Sequence, residues 1–438
     1  MLKTWTSDLY DRIAALASFG ADKLPEPIEA LCDRLLAPAS PNARLRAAGE
    51  IHARFAAAGD AGKRAFLSLL ADRYTADPAR LDLAILAYQA DRSAERLADL
   101  HAASEPRRQQ ILRRLNEVPD GTTLLLAMRG ALLGMARDDP GLAALDGDFS
   151  RLFSSWFNGG FLVLRQLDWS TSGAVLTKLM HYEAVHPIES WEALRARLEP
   201  ADRRCYGLFH PMMDAEPLIF VEVALTRGIP ISIAHILRAD RVALDPDKAD
   251  TAVFYSISNC QDALRGVPFG GPLIKQVMDR LRRELPGLRR AVTLSPMPGF
   301  ARWLRGRADQ DPADLALVGQ LAEPDWHLDP ASEARIKAPL MRAAARYLTM
   351  ASGRDADPVA RFHLGNGARI EQLDWLGDVS PKGLRQSHGM MVNYLYDPAH
   401  IDDNHFAFAE SGAIAASGRL RRQAREEPSS RLPWLSGR

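Results

Sequence analysis

Apolar positions recur at a spacing near 3.6 residues through the first third of the chain: Leu70 and Ala71, then Leu81, Leu83, Ile85, Leu86, Leu97 and Leu100. Pro25, Pro27, Pro38, Pro41, Pro78, Pro106, Pro119 and Pro140 punctuate these runs. Pro41-Asn42-Ala43-Arg44 and Asp77-Pro78-Ala79 read as helix starts, because the first turn of a helix tolerates proline. The pattern predicts an all-helical bundle over residues 1–147, with no convincing fixed-period repeat. No cluster of His, Cys or carboxylates stands out in it as a site, so assembly, or covering of the next domain, is its expected role.

Near Leu145 the texture changes. Phe153 to Leu167 is aromatic and contains Asn158-Gly159-Gly160. Short β-branched or aromatic runs bounded by turn residues follow: Phe161–Leu164, Leu218–Leu225, Ile231–Leu237, Ala252–Ser258, Ala291–Ser295, Ala368–Trp375 and Met390–Tyr396. Helical patterns lie between some of them, notably Leu273–Leu285 and Pro330–Met350. The expected fold class is α+β: the helical N-terminal bundle, then a mixed α/β domain over residues 148–438. The charged, Pro-terminated tail after Ala415 is expected to be partly disordered.

Composition narrows the function classes. Lys+Arg and Asp+Glu both total 55, so nothing predicts nucleic acid or an anionic membrane as a partner. The longest apolar run, Thr122 to Ala136, is broken by Arg129 and falls short of the ~18 residues a span needs. Residues 1–20 carry Lys3, Asp8, Asp11 and Arg12 and show no signal-peptide pattern, and the last residues do not read Ser-Lys-Leu; the expected location is the cytoplasm. Cys32, Cys205 and Cys260 form no C-x-x-C pair, so each is expected as a buried small hydrophobe in a reducing compartment, with no metal site. No H-E-x-x-H or G-x-S-x-G motif is present.

One turn stands out. Val253, Tyr255 and Ile257 alternate as in a strand. Arg265-Gly266-Val267-Pro268-Phe269-Gly270-Gly271 follows, and Leu273, Ile274, Val277, Met278, Leu281 and Leu285 then recur at helical spacing. A Gly-bearing turn opening a helix can gather N–H donors at the positive end of the helix and hold a pyrophosphate. The order resembles the acetyltransferase superfamily, whose acyl-CoA signature is R/Q-x-x-G-x-G/A; here Arg265 and Gly270 fit, and Pro268 replaces the middle Gly. An ordinary turn in which Gly266 takes a positive φ is the alternative.

Five further segments narrow the resemblance. They are Tyr182-Glu183-Ala184-Val185-His186-Pro187, Leu294-Ser295-Pro296-Met297-Pro298-Gly299-Phe300, Phe362-His363-Leu364-Gly365-Asn366-Gly367-Ala368, Asp378-Val379-Ser380-Pro381-Lys382-Gly383-Leu384 and Met391-Val392-Asn393-Tyr394. In this order the chain resembles the malonyl-CoA decarboxylase family over most of residues 150–400. The resemblance implies an acetyltransferase-like (GNAT) catalytic domain and a homo-oligomer, dimer or tetramer. It implies Ser295 and His363 as catalytic residues, and Arg265, Gly266, Val267, Pro268, Phe269, Gly270 and Gly271 as the malonyl-CoA-binding turn. Asn393 and Tyr394 are further substrate-binding candidates, and His186 and His210 are second-tier candidates.

The chemistry implied is modest. Loss of CO2 from a β-carboxyl thioester leaves an enolate delocalised onto the thioester oxygen, so the substrate is its own electron sink and no cofactor is expected beyond the CoA that the substrate carries. The residues must hold the CoA, orient the carboxylate perpendicular to the thioester plane, stabilise an oxyanion and protonate a carbon. The Ser295 hydroxyl, at a strand end locked by Pro296 and Pro298, suits the rigid donor, and His363 suits proton transfer near neutral pH. Malonate breakdown and control of malonyl-CoA for fatty-acid synthesis both fit as physiological roles. The alternatives are an acyl-CoA-dependent acyltransferase, which would need an acceptor, and a non-catalytic acyl-CoA-binding protein.

Overall fold

Proline-led helices start where the sequence places them. In the computed structural model, which describes residues 26–213, 215–267, 270–350 and 357–425, helices begin at Pro41 and at Pro78. The Ser40 hydroxyl accepts from the Ala43 amide, and the Asp77 carboxylate from the Arg80 amide. Each thereby satisfies a donor that the first helical turn leaves open.

The chain divides into two units. The first comprises residues 1–163, 209–218 and 260–269. Its helices are Ile28–Leu36, Pro41–Ala57, Asp60–Arg73, Pro78–Ala90, Ala94–Ser104, Arg107–Leu115, Gly121–Met135 and Pro140–Trp156. The last of these runs straight through residue 147. Leu67, Leu70, Leu112, Leu125, Phe149 and Phe153 are buried between helices. Arg129, which interrupts the apolar run, is buried: it donates to Asp146, to the Ser150 hydroxyl and to the Ala263 carbonyl. Cys32 lies in this core, where burial pushes its thiol pKa up to about 12, as for a packed hydrophobe.

One expected core face is not a core face. The helix Pro78–Ala90 buries none of its residues, and it packs chiefly on the helix Ala94–Ser104. Leu83 is 69% exposed, Leu86 61% and Leu97 51%. The helical period was legible there, but among the described residues its apolar face stays largely exposed.

The second unit comprises residues 164–208, 219–259 and 270–438. The strands are β1 (Val163–Leu167), β2 (Arg203–Phe209), β3 (Pro217–Thr226), β4 (Thr251–Asn259), β5 (Arg290–Thr293), β6 (Ser295–Pro296), β7 (Arg369–Asp374) and β8 (Met391–Leu395). They form one sheet of order β1-β2-β3-β4-β5-β8-β6, with β7 also paired to β8. The α+β class, a helical region followed by a mixed sheet-and-helix region, is as expected. The run Ile231–Leu237 is instead a short helix, Ile233–Leu237: Pro230 precedes it, and the Ile233 amide donates to the Gly377 carbonyl rather than to a strand. An apolar run this short fits either period. Of the tail beyond Ala415, expected to be partly disordered, Gly418–Arg425 is a helix that packs on the helix Pro330–Met350, and residues 426–438 lie outside the described residues. Among the described residues no helix is long and apolar enough to cross a membrane.

β4 and β5 pair in parallel, and the pairing ends early. β4 and β5 are in register from Thr251 opposite Arg290 to Phe254 opposite Thr293, and the Leu294 amide adds a bond to the Phe254 carbonyl. β4 then continues to Asn259 with register recorded only against β3. Tyr255 is the extra residue of a bulge in that pairing, between Glu222 and Val223 of the partner strand. A bulge bends its strand, and ligands of open sheets with parallel pairs sit outside the carboxyl ends of the strands. Ser295 lies two residues past the end of β5 on that side.

Candidate active site

Ser295 begins β6, where it stands opposite Val392 of β8. His363 sits in the last turn of the helix Pro358–Gly365. That helix is fixed at its start by Asp357, which is buried. One oxygen of Asp357 caps the Val359 and Ala360 amides at 2.9 and 3.3 Å. The other accepts from the Tyr347 hydroxyl at 2.8 Å and from the Gly299 amide at 3.1 Å. The Ser295 motif and the His363 motif are therefore tied through a single carboxylate. Gly299 is required by that approach, since a Cβ there would stand 2.2 Å from the Tyr347 hydroxyl.

Beyond the end of the helix lies Gly367, whose φ is +79° and where a Cβ would meet the Ile401 carbonyl at 2.1 Å. The Ala368 amide returns to the His363 carbonyl at 3.0 Å, and the chain enters β7. His363 therefore precedes a strand, as its sequence context indicated, but from a helix rather than from a turn.

These elements bring the two side chains together. Ser295 Oγ lies 3.2 Å from His363 Nε2, across 68 residues of sequence. Ser295 is 4% exposed and His363 3%. Ser295 Oγ donates to Thr293 Oγ1 at 2.8 Å, and Thr293 Oγ1 also accepts from the Tyr394 amide at 3.2 Å. On the other side of the ring, His363 Nδ1 is 2.8 Å from the Tyr396 hydroxyl. The imidazole stacks on Tyr394 with ring centres 4.6 Å apart. Burial pulls the His363 pKa down to about 3, so the ring is neutral at pH 7. The same burial raises the Tyr394 and Tyr396 phenols well above the usual tyrosine range.

Asn393 and Tyr394 join the pair, each in its own way. The Asn393 side-chain amide donates to the Thr293 carbonyl at 2.7 Å and to the Pro230 carbonyl at 3.4 Å, which pins β8 beside Ser295. The Tyr394 hydroxyl and Asn393 Oδ1 are buried with no partner among the described residues. Thr293 and Tyr396 went unnoticed in the sequence. Thr293 falls just before the Ser295 motif and Tyr396 just after the Met391–Tyr394 motif, and only strand register shows that both face the pair.

The remaining candidates are dispersed. Arg265 is exposed and faces Asp262 at 3.5 Å, Gly266 has φ +82° and Val267 is buried. Pro268 and Phe269 lie outside the described residues. Gly270 and Gly271 open the helix Gly270–Glu284, as the helical spacing indicated. His186 is buried, is hydrogen-bonded to the Tyr255 backbone and is lowered to about pKa 4 by burial. It belongs to a loop held by Glu183, which accepts from the Val185 and His186 amides at 2.8 Å each and from the hydroxyls of Ser256 and Ser258 at 2.6 and 3.1 Å. Lys382, from a different motif, donates to the Ala184 and Val185 carbonyls. His210 lies in the first unit against Phe157, ring centres 5.1 Å apart. Among the described residues no three His, Cys, Asp or Glu side chains are grouped so as to hold a metal ion.

Comparison with known proteins matches two family models, both of malonyl-CoA decarboxylase. Residues 160–433 match the malonyl-CoA decarboxylase C-terminal domain, and residues 74–157 match the malonyl-CoA decarboxylase N-terminal domain. The mitochondrial malonyl-CoA decarboxylase of Anser anser anser is 35% identical over 345 residues, which is 71% of this chain and 68% of that one. The Rattus norvegicus protein of the same name is 32% identical, over 73% of this chain and 72% of its own. Among solved structures, malonyl-CoA decarboxylase from Agrobacterium vitis is 49% identical with a TM-score of 0.88, covering 92% of this chain and 100% of that one. The enzyme from Rhodopseudomonas palustris is 48% identical with a TM-score of 0.85, covering 90% of this chain and 98% of its own.

Proposed function

The chain belongs to the malonyl-CoA decarboxylase family, and on that premise we propose that Ser295 and His363 carry the decarboxylation of malonyl-CoA to acetyl-CoA and CO2. The observation that supports this most is the buried contact between Ser295 Oγ and His363 Nε2, made by two motifs far apart in sequence. The bond from C2 to the carboxylate breaks, and its electron pair moves into the thioester as an enolate. The Ser295 hydroxyl, fixed on a strand between Thr293 and Pro296, is the rigid polar group that orients the carboxylate or faces the developing oxyanion. His363 gives its Nε2 proton to C2, and solvent water later restores it. The near-complete burial of the pair favours the first step, because a localised carboxylate charge is less stable away from water than a delocalised enolate is.

CoA binding by the Arg265–Gly271 turn remains part of this reading, carried by the sequence pattern and by the helix that Gly270 opens. Self-association is a further part of it. The exposed leucines of the helices Pro78–Ala90 and Ala94–Ser104 would be covered by a second copy of the chain, since an apolar face of this kind on short helices gains little stability uncovered.

The test is the product of the unmodified protein. Purified protein and malonyl-CoA in D2O, with no acceptor added, should give CO2 and acetyl-CoA carrying one solvent-derived deuterium in the methyl group. Consumption of malonyl-CoA only when an amine or alcohol acceptor is present would favour the acyltransferase reading.

A further inference from the structure

The hydrogen bonds around His363 have a direction, and it can be followed from one end. The Tyr394 amide can only donate, and it donates to Thr293 Oγ1. Thr293 Oγ1 also accepts from the Ser295 hydroxyl. With its hydrogen so used, Ser295 Oγ faces His363 Nε2 as an acceptor, an arrangement that favours a proton on Nε2. A neutral imidazole protonated at Nε2 has a lone pair at Nδ1, so the Tyr396 hydroxyl, 2.8 Å away, must donate to it. Tyr396 is itself held: it is buried, and its amide donates to the Ala291 carbonyl at 2.9 Å.

We propose that Tyr396 is a positioning residue that fixes His363 as its Nε2–H tautomer and so aims the one transferable proton at the substrate beside Ser295. The proposal rests on the reading of His363 as the donor to C2 and adds what makes it a donor while uncharged. In the step, the Nε2–H bond breaks and a C2–H bond forms. The electron pair left on the imidazole is stabilised by the Tyr396 O–H at Nδ1, and water returns the proton. A neutral ring suffices because the acceptor, an enolate carbon, is strongly basic. The low pKa of His363 agrees with a ring kept neutral throughout. Without the phenol the two tautomers would be set only by the weaker preference of Ser295, and the Nδ1–H form presents a lone pair, not a proton, to the substrate.

Nitrogen-15 NMR of the wild-type protein, labelled in histidine and assigned by loss of one residue's signals in His363→Gln, reads the tautomer directly. The expected result at neutral pH is a protonated, pyrrole-type Nε2 and an unprotonated Nδ1. In Tyr396→Phe the Nδ1–H form should gain population and kcat should fall roughly ten- to a hundredfold, with CoA affinity unchanged. A wild-type ring protonated at Nδ1 overturns the proposal, even if Tyr396→Phe does not fold. So does a Tyr396→Phe protein that shifts tautomer yet keeps its kcat, or that changes neither. The underlying reading fails separately, if His363→Gln still turns over malonyl-CoA at the wild-type rate.

Discussion

The helices Pro78–Ala90 and Ala94–Ser104 and the surroundings of His363 depart from the usual arrangement in opposite directions. The helices leave leucines in water, and the site encloses a serine, a threonine, an asparagine, a histidine and two tyrosines in the protein interior. Each carries a free-energy cost that local folding does not offset. An exposed leucine forgoes about 2 kcal/mol of burial, and a buried polar group without a partner costs about 1–3 kcal/mol. On the reading proposed above, such costs persist because something outside the fold offsets them: a second copy of the chain in the first region and the reaction in the second. The difference teaches which kind of change should matter in each place. On that reading, polar changes on the helices should act on assembly and apolar changes at the site on turnover.

The sharpest way to break the comparison is at the site. His363→Gln should lower kcat by roughly a hundred- to ten-thousandfold, with CoA affinity kept, as read by steady-state turnover and by calorimetric titration of CoA. A matching change on the helices, Leu83→Glu with Leu86→Glu, should reduce the mass in solution to that of a single chain by light scattering, with the far-ultraviolet helical signal retained. If that pair leaves the mass unchanged, the exposed face is not the one that associates.

Smaller effects sharpen the contrast. Asp357→Ala removes the cap of the His363 helix and leaves the Tyr347 hydroxyl and the Gly299 amide without their acceptor. It should cost about 2–4 kcal/mol in urea unfolding and lower kcat as the His363–Ser295 contact loosens. The least of these is a pH effect. The folded chain holds His363 neutral down to about pH 3, whereas the unfolded chain takes up that proton near pH 6.5. Unfolding therefore binds a proton in this window, and the contribution of His363 to stability is complete above pH 6.5 and lost as pH falls towards 3. The slope is about 1.4 kcal/mol per pH unit at most. Glu222 acts oppositely: burial raises it to about 7, so its contribution is lost as pH rises through 7. In His363→Gln the fall of melting temperature on the acid side should be shallower than in the wild type.

Much of this was legible before any coordinates. Pro41 and Pro78 marked helix starts, the alternation Val253–Ser258 marked β4, and separate motifs carried Ser295 and His363. What was not legible depended on contacts between distant segments. Tyr396 faces His363 only because β8 returns beside β5, and Thr293 faces Ser295 through a hydroxyl whose other bond comes from Tyr394. Asp357 was not singled out in the sequence, and its second oxygen, which joins the two motifs, had no sequence signal. β2 was missed because Arg203 and Arg204 mask its pattern; both arginines reach past the strand, to the Ile236 carbonyl and to Glu284. The run Ile231–Leu237 had the composition of a strand, and a tertiary bond from Gly377 decided for a helix.

The central claim is that the buried Ser295–His363 contact exists for the reaction rather than for the fold, and Ser295→Ala tests it most directly when turnover and melting temperature are measured on the same sample. The account predicts that acetyl-CoA formation is lost by at least about a hundredfold while the melting temperature holds or rises, since functional polar groups are commonly kept at the expense of stability. Turnover preserved in a protein that melts earlier would contradict it, and would make the serine a structural link between β6 and the helix that carries His363.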